Sequence, residues 1–209
     1  MVTPTVHDWR SREIVTADTL NAYVRDVHGF LYRPPAAKLA LRQRGTYSGA
    51  NPADAVDRGR WLPFNTWATI PLYQAGKGTR PADEYDPSGM AKTGPDGTVW
   101  GLAVPESGLY AVTFGGVIDT NGEASNVHFR VGKGQWGTSA VPFASHCPGR
   151  YSTASDGTSR YLGSISTTIA LSKGEVVSVM GIADKDFVLA RSTLAGRSFL
   201  ELRWVGRIP

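Results

Sequence analysis

Asp83, Glu84 and Asp86 place three carboxylates within four positions, and clustered carboxylate oxygens are what a hard cation such as Ca2+ or Mg2+ requires. They lie in a Gly, Pro and Asp-rich stretch at 73–96 that reads as one long loop, and loops of that length are usually functional or mobile. A solvated turn is the commoner origin of such a run, so neither a metal nor a cofactor is expected. Asp119, Asn121 and Glu123 imitate the opening of a calcium loop, but the rest of that pattern is missing and a hairpin turn at 119–123 accounts for them. His146 and Cys147 are adjacent and followed by Pro148, with no second ligand pair at zinc spacing. Cys147 as a nucleophile needs a base placed by the fold, whereas burial as a small apolar residue is the commoner fate of a free cysteine. Gly76-Lys77-Gly78-Thr79 and Gly132-Lys133-Gly134 lack the spacing and the following helix of a phosphate-binding loop. No Gly-x-Ser-x-Gly elbow occurs. Two carboxylates that meet only in space, as in glycoside hydrolysis, leave no trace in a sequence. The expectation is a protein without an enzymatic activity.

Recognition is a better use for the residues present. Trp136, Tyr151 and Tyr161 sit in or beside Gly and Ser-rich stretches, and exposed aromatics among small polar neighbours suit contact with a sugar or a protein. The plainer expectation is that they close the ends of a barrel.

The elements that would position these residues are mostly strands. The chain has 209 residues, 41% of them hydrophobic, with 24 Gly and 13 Pro spread throughout, which suits short strands joined by tight turns. A single cysteine excludes an intrachain disulfide. No apolar run approaches the roughly 18 residues of a membrane span, and residues 1–12 lack the basic-then-apolar order of a signal peptide, so folding in a cytoplasm without membrane insertion is expected. The net charge of +4 is thin and dispersed, so nucleic acid is not expected as a partner. Its one local concentration, Arg33, Lys38, Arg42 and Arg44, suits an acidic protein as well as phosphate.

Residues 1–15 read as an extended arm on which Trp9 is an anchor. Thr16 is a candidate N-cap, with Asp18 in the first turn, for a helix that runs to about Leu31 and stops before Pro34 and Pro35. Leu20, Tyr23, Val24, Val27, Phe30 and Leu31 form an apolar stripe at spacings of three and four that fits two heptads. A helix this short is marginal alone in water and needs a surface to lie on: its own β domain, other copies, or a partner.

Strand candidates follow at 38–43, 60–63, 66–72, 98–104, 109–118, 126–131, 140–144, 164–171, 176–182 and 199–205. The stretch 104–120 is central. It is apolar on nearly both faces, which predicts burial on both, and Gly115-Gly116 interrupt it as a bulge or a close approach. Eight or more short strands with frequent turn signals indicate a mainly β sandwich or jelly roll.

Two resemblances sharpen this reading. Val-Pro-Glu-Ser-Gly-Leu-Tyr-Ala-Val-Thr-Phe at 104–114, Leu-Ser-Lys-Gly-Glu-Val-Val-Ser-Val at 171–179 and the closing Phe-Leu-Glu-Leu at 199–202 resemble the C1q and tumour-necrosis-factor type of jelly roll. The matching positions are Gly108, Tyr110, Leu171, Gly174, Glu175, Val177 and Phe199, with Glu175 where Asp is usual. This implies a domain that associates as a homotrimer. The leading segment, Trp9-x3-Glu13 followed by Ile-Val-Thr-Ala-Asp-Thr-Leu-Asn-Ala-Tyr-Val-Arg-Asp-Val-His-Gly-Phe-Leu at 14–31, is similar to that of tail and other virion proteins of tailed phages of actinobacteria. Together they imply a virion structural protein assembled in the host cytoplasm and carried on the exterior of tail or capsid. Residues 1–35, through Trp9 and the stripe, would attach it to other virion proteins, and a jelly roll at 36–209 would project from the particle. A minor tail or tail-tip protein that contacts a host-surface glycan or protein is the leading expectation; a capsid decoration protein and a carbohydrate-binding module are the alternatives.

Overall fold

Period-two alternation of apolar residues decides where this chain forms strands. The computed structural model describes residues 10, 12–21, 24, 34–40, 67–69, 72–74, 82–95, 97–120, 123–134, 141–146, 149–153, 159–185, 187–189 and 198–207. One helix, α1 (Ala17–Leu20), precedes the strands β1 (Ala36–Ala40), β2 (Ala68–Thr69), β3 (Tyr73–Gln74), β4 (Ala91–Thr93), β5 (Thr98–Ala103), β6 (Gly108–Thr120), β7 (Val127–Lys133), β8 (Val141–His146), β9 (Gly149–Thr153), β10 (Ser159–Leu171), β11 (Val176–Ala183), β12 (Phe187–Leu189) and β13 (Phe199–Gly206). The strand expected at 60–63 lies outside the described residues.

β1 pairs with β13, β5 with β11, β6 with β10 and β7 with β8, all antiparallel. These pairs are nested from the outside of the sequence inward, and they fall alternately in two sheets. The first sheet has the order β1-β13-β6-β10-β9 with β12 also on β6; the second has the order β3-β5-β11-β7-β8 with β2 on β11 and β4 on β5. A long hairpin rolled up in this way is a jelly roll. The mainly β jelly-roll sandwich with one short helix, expected from the sequence, is the fold present.

The core lies between the sheets. Tyr110, Val112 and Phe114 of β6 and Leu200 and Leu202 of β13 are fully buried against Val127, Phe129 and Val131 of β7 and Val177 and Val179 of β11. Phe114 meets Phe129 edge to face, with ring centroids 4.9 Å apart and planes at 65°. The alternation of β7 follows the sequence, with His128 and Arg130 half-exposed on the far side.

Four expectations change. First, β6 is buried on one face only, because its other face carries Leu109, Ala111 and Thr113, which remain half-buried. Second, Gly115-Gly116 do not break the strand: β6 pairs with β10 without a register shift from Gly108 to Thr120. The glycines are there for space. A Cβ on Gly116 would stand 2.2 Å from the Phe114 ring, and one on Gly115 would stand 2.6 Å from the Phe199 ring. Third, β6 continues through Asp119 to Thr120, so the expected turn at 119–123 starts later. Fourth, 73–96 is not one loop. It holds β3 and β4, and its middle touches β1 through a bridge between Lys38 and Tyr85.

The turn before β6 is fixed by Tyr110, whose hydroxyl donates to the Glu106 carbonyl at 2.7 Å and is pushed up to about 12 by burial. Gly108 is required by Trp204, because a Cβ there would lie 2.2 Å from the indole Nε1 and 2.7 Å from the Gly206 carbonyl oxygen. Gly108→Ala is therefore expected to cost about 1–3 kcal/mol, the usual range for overpacking. Gly206→Ala, where a Cβ meets nothing within 4 Å, is expected to stay within about 0.5 kcal/mol of the parent. Urea unfolding of the two variants side by side checks this, and equal losses would refute the Trp204 account.

Candidate functional site

Of the aromatics expected to touch a ligand, Tyr161 is spent inside the fold. It is 5% exposed, its hydroxyl donates to the Ala124 carbonyl at 2.6 Å, and it accepts from the Ala124 amide at 2.9 Å. That exchange ties β10 to the chain entering β7, which removes Tyr161 from any recognition surface. Tyr151 falls in β9, with its side chain outside the described residues, as is Trp136.

The carboxylates at 83–86 are also committed to the fold. Asp83 accepts from Lys38 Nζ at 2.8 Å, Asp86 accepts from the amides of Met90 and Ala91 at 2.7 and 2.9 Å, and Glu84 is buried. Among the described residues, no three His, Cys, Asp or Glu side chains come together as metal ligands.

What these residues build is a strap along β1. Lys38 and Tyr85 exchange backbone hydrogen bonds of 2.8 and 3.1 Å. Tyr85 Oη donates to Glu201 Oε1 at 2.7 Å, which also accepts from Arg203 Nη2 at 3.0 Å. Burial first, and the bond to Glu201 second, push the Tyr85 hydroxyl above its ordinary value, against an opposing contribution from Arg203. Lys38 Nζ stands 4.6 Å over the Phe199 ring. The sequence signals only that Lys38 and Glu201 occupy outward positions between apolar neighbours; that they meet depends on the pairing of β1 with β13.

This strap borders a broad sheet surface. Directly opposed residues share a face, and the face of the first sheet turned away from the core shows three rows across β1, β13, β6 and β10. They are Ala40, Phe199, Gly115 and Ser164; Lys38, Glu201, Thr113 and Ser166; and Ala36, Arg203, Ala111 and Thr168. Ser164, Ser166, Thr168 and Arg203 are exposed, and Val205 beyond them is 52% exposed. The centre of the surface, Ala111, Thr113 and Gly115, is thus small, weakly polar and half-exposed, while Ala40 at its β1 edge is fully buried.

The second surface is the arm. Thr16 caps α1 by accepting from the Thr19 amide at 3.1 Å, as its position predicts, and Asp18 lies in the first turn. Before it, Arg10 and Glu13 close a turn through Glu13 N to Arg10 O and Arg10 N to Glu13 Oε2, both 3.0 Å. Ile14 is 83%, Val15 55%, Leu20 49% and Val24 43% exposed, and α1 buries no residue. The described part of the stripe, Leu20 and Val24, is thus about half exposed. Trp9, Tyr23, Val27, Phe30 and Leu31, and the helix beyond Val24, lie outside the described residues.

Charged groups at the turns serve as caps. Glu175 accepts from the Ser172 amide at 2.7 Å and from Lys133 Nζ at 3.0 Å. Burial works to raise its pKa, but these two bonds outweigh burial and hold it below the ordinary value of 4.5. Asp184 is held below 3.8, chiefly by the Ser125 hydroxyl.

No protein-family model matches the chain, and no curated protein matches it. Among solved structures, the chain is similar to the Eiger TNF from S. frugiperda, with 13% sequence identity over 85% of this chain and 96% of that one, at a TM-score of 0.48.

The lowered carboxylates set the sign of the acid response. A group whose folded pKa is depressed contributes stability above its unfolded value and loses it as the pH falls through the folded one. For Glu175 that window lies below pH 4.5. Glu175→Gln is expected to lower the Tm at pH 7 by a few degrees and to flatten its fall below pH 4.5, measured by thermal melts across pH. Parallel curves for parent and variant would remove Glu175 as a source of acid sensitivity.

Proposed function

We propose that this chain is a structural protein of a bacteriophage virion, a homotrimer whose residues 1–35 attach it to other virion proteins while the jelly roll projects toward the host surface. A minor tail or tail-tip position is the leading placement, and a capsid decoration protein that grips the shell with the same arm is the alternative. The observation that carries this reading is the exposed arm. Four of the five large apolar side chains exposed among the described residues are Ile14, Val15, Leu20 and Val24, and all four fall in the segment that resembles the leading part of virion proteins. Clustered apolar exposure marks surface that another protein covers.

The open face of the first sheet supports self-association. Its central residues Ala111, Thr113 and Gly115 are small, so a second copy can approach the sheet closely; in a three-fold ring each copy meets the next through two different patches, and this face would supply one of them. A carbohydrate-binding role has less support, because one of its three aromatics, Tyr161, is held by Ala124.

Deleting residues 1–33, which keeps the Pro35 carbonyl on the Trp204 amide, is expected to abolish incorporation into particles assembled with the truncated protein as their sole copy, and to leave the trimer mass unchanged. Full incorporation of the truncated protein would sink the attachment role. Thr113→Arg is expected to reduce the light-scattering mass from trimer to monomer; a trimer mass for that variant would exclude the sheet face.

A further inference from the structure

We infer that Val205 of one copy packs over Gly206 of the next, a knob and a notch on adjacent residues that fasten one end of the open sheet face; this rests on the trimer proposed above. A bulge makes the knob. β13 runs in regular register with β6 from Phe199 opposite Gly115 to Trp204 opposite Tyr110, and then shifts, so that Gly206 rather than Val205 stands opposite Leu109. Two residues of β13 thus answer one of β6, the arrangement by which a bulge re-aims a side chain. The side chain re-aimed here is Val205, which is 52% exposed. Among the described residues it is the one large apolar side chain exposed outside the arm.

Gly206 makes the notch. It is half-exposed, it is not among the glycines with positive φ, and a Cβ on it would meet nothing within 4 Å. Neither backbone conformation nor packing within the chain therefore asks for a glycine. Its neighbours in the sheet differ, since Gly108 makes room for Trp204, Gly115 for Phe199 and Gly116 for Phe114. A strand glycine without an internal cause marks a place where something approaches from outside.

A second copy is the occupant, because each copy brings both halves of the contact: an exposed apolar side chain and, one residue on, the space to receive it. The notch also continues the surface through which the copies meet. Leu109 stands opposite Gly206, and Ala170 of β10 stands opposite Leu109, so this end of the face is apolar, with Leu109 half-buried and Ala170 exposed. Arg203, two residues before Val205, is held by Glu201 at 3.0 Å, and a neighbouring copy covers that pair without separating it.

The solution mass of the full chain across a dilution series tests the contact. The parent is expected to remain a trimer at micromolar concentration, as is Thr93→Asp, a control exposed on β4 of the second sheet. Val205→Asp is expected to run as a monomer with an unchanged far-UV spectrum, since Val205 lies outside the core. Val205→Ala and Gly206→Val are each expected to raise the concentration at which half of the chains are assembled by about tenfold or more. The double variant is expected to raise it by clearly less than the product of the two, because both remove one contact. A trimer mass for Val205→Asp, or losses that simply multiply, overturns the knob and notch and leaves the trimer standing. A parent that is not a trimer overturns the trimer and this contact with it.

Discussion

Phe114 is the side chain on which the two sheets close. It belongs to the first sheet and meets Phe129 of the second at 4.9 Å, edge to face, a geometry worth about 0.5–1.5 kcal/mol beyond the burial of the rings. The ring has room only because the residue two positions on, on the same face, is Gly116. Its neighbour Gly115 does the same for Phe199 on the opposite face. Two adjacent glycines thus hold two phenylalanine rings on opposite sides of one strand, and β6 runs straight through both positions. Gly116 thus shapes the core side of the strand and Gly115 its outer side.

Strand positions were legible because alternation is a local signal. Val127, Phe129 and Val131 announce β7, and the turn at 172–175 carries its own chemistry: Gly174 adopts φ +85, and Glu175 turns back to the Ser172 amide. The positions that resemble the C1q and tumour-necrosis-factor jelly roll each have such a cause, Gly108 under Trp204, Tyr110 on the Glu106 carbonyl, Leu171 in the core. What alternation cannot supply is the distant partner. The sequence leaves Tyr161 open between recognition and closing the fold because its partner Ala124 is 37 positions away, and it reads the carboxylates at 83–86 as a solvated turn because Asp83 finds Lys38 only at a separation of 45 and Tyr85 finds Glu201 at 116. The candidate surfaces were read less well than the fold for the same reason. Whether a polar or aromatic side chain is free depends on contacts that exist only once β1 and β13 have paired.

The first and last strands of the jelly roll therefore decide more than their length suggests. β1 is an edge strand, and an uncovered edge invites pairing with another chain. The strap covers its middle through Tyr85, and the ion pair of Lys38 with Asp83 fixes that strap. The basic cluster of Arg33, Lys38, Arg42 and Arg44 loses Lys38 to this task, which weakens any reading of it as a phosphate-binding patch.

The open face that remains is suited to association for an entropic reason. Ordering a long side chain at an interface costs up to about 1.5–2 kcal/mol of rotamer freedom, and Gly and Ala cost nothing. The rows of Gly115 and Ala111, flanked by Ser164 and Thr168, can be covered with little such loss. The charged residues beside them are already paired within the chain: Arg203 with Glu201, and Lys38 with Asp83. A second copy would bury these pairs intact, avoiding the several kcal/mol that desolvating an unpaired charge entails. A surface of this kind would bind by fit and register more than by any single strong contact, which is what the proposed association between copies of the chain requires.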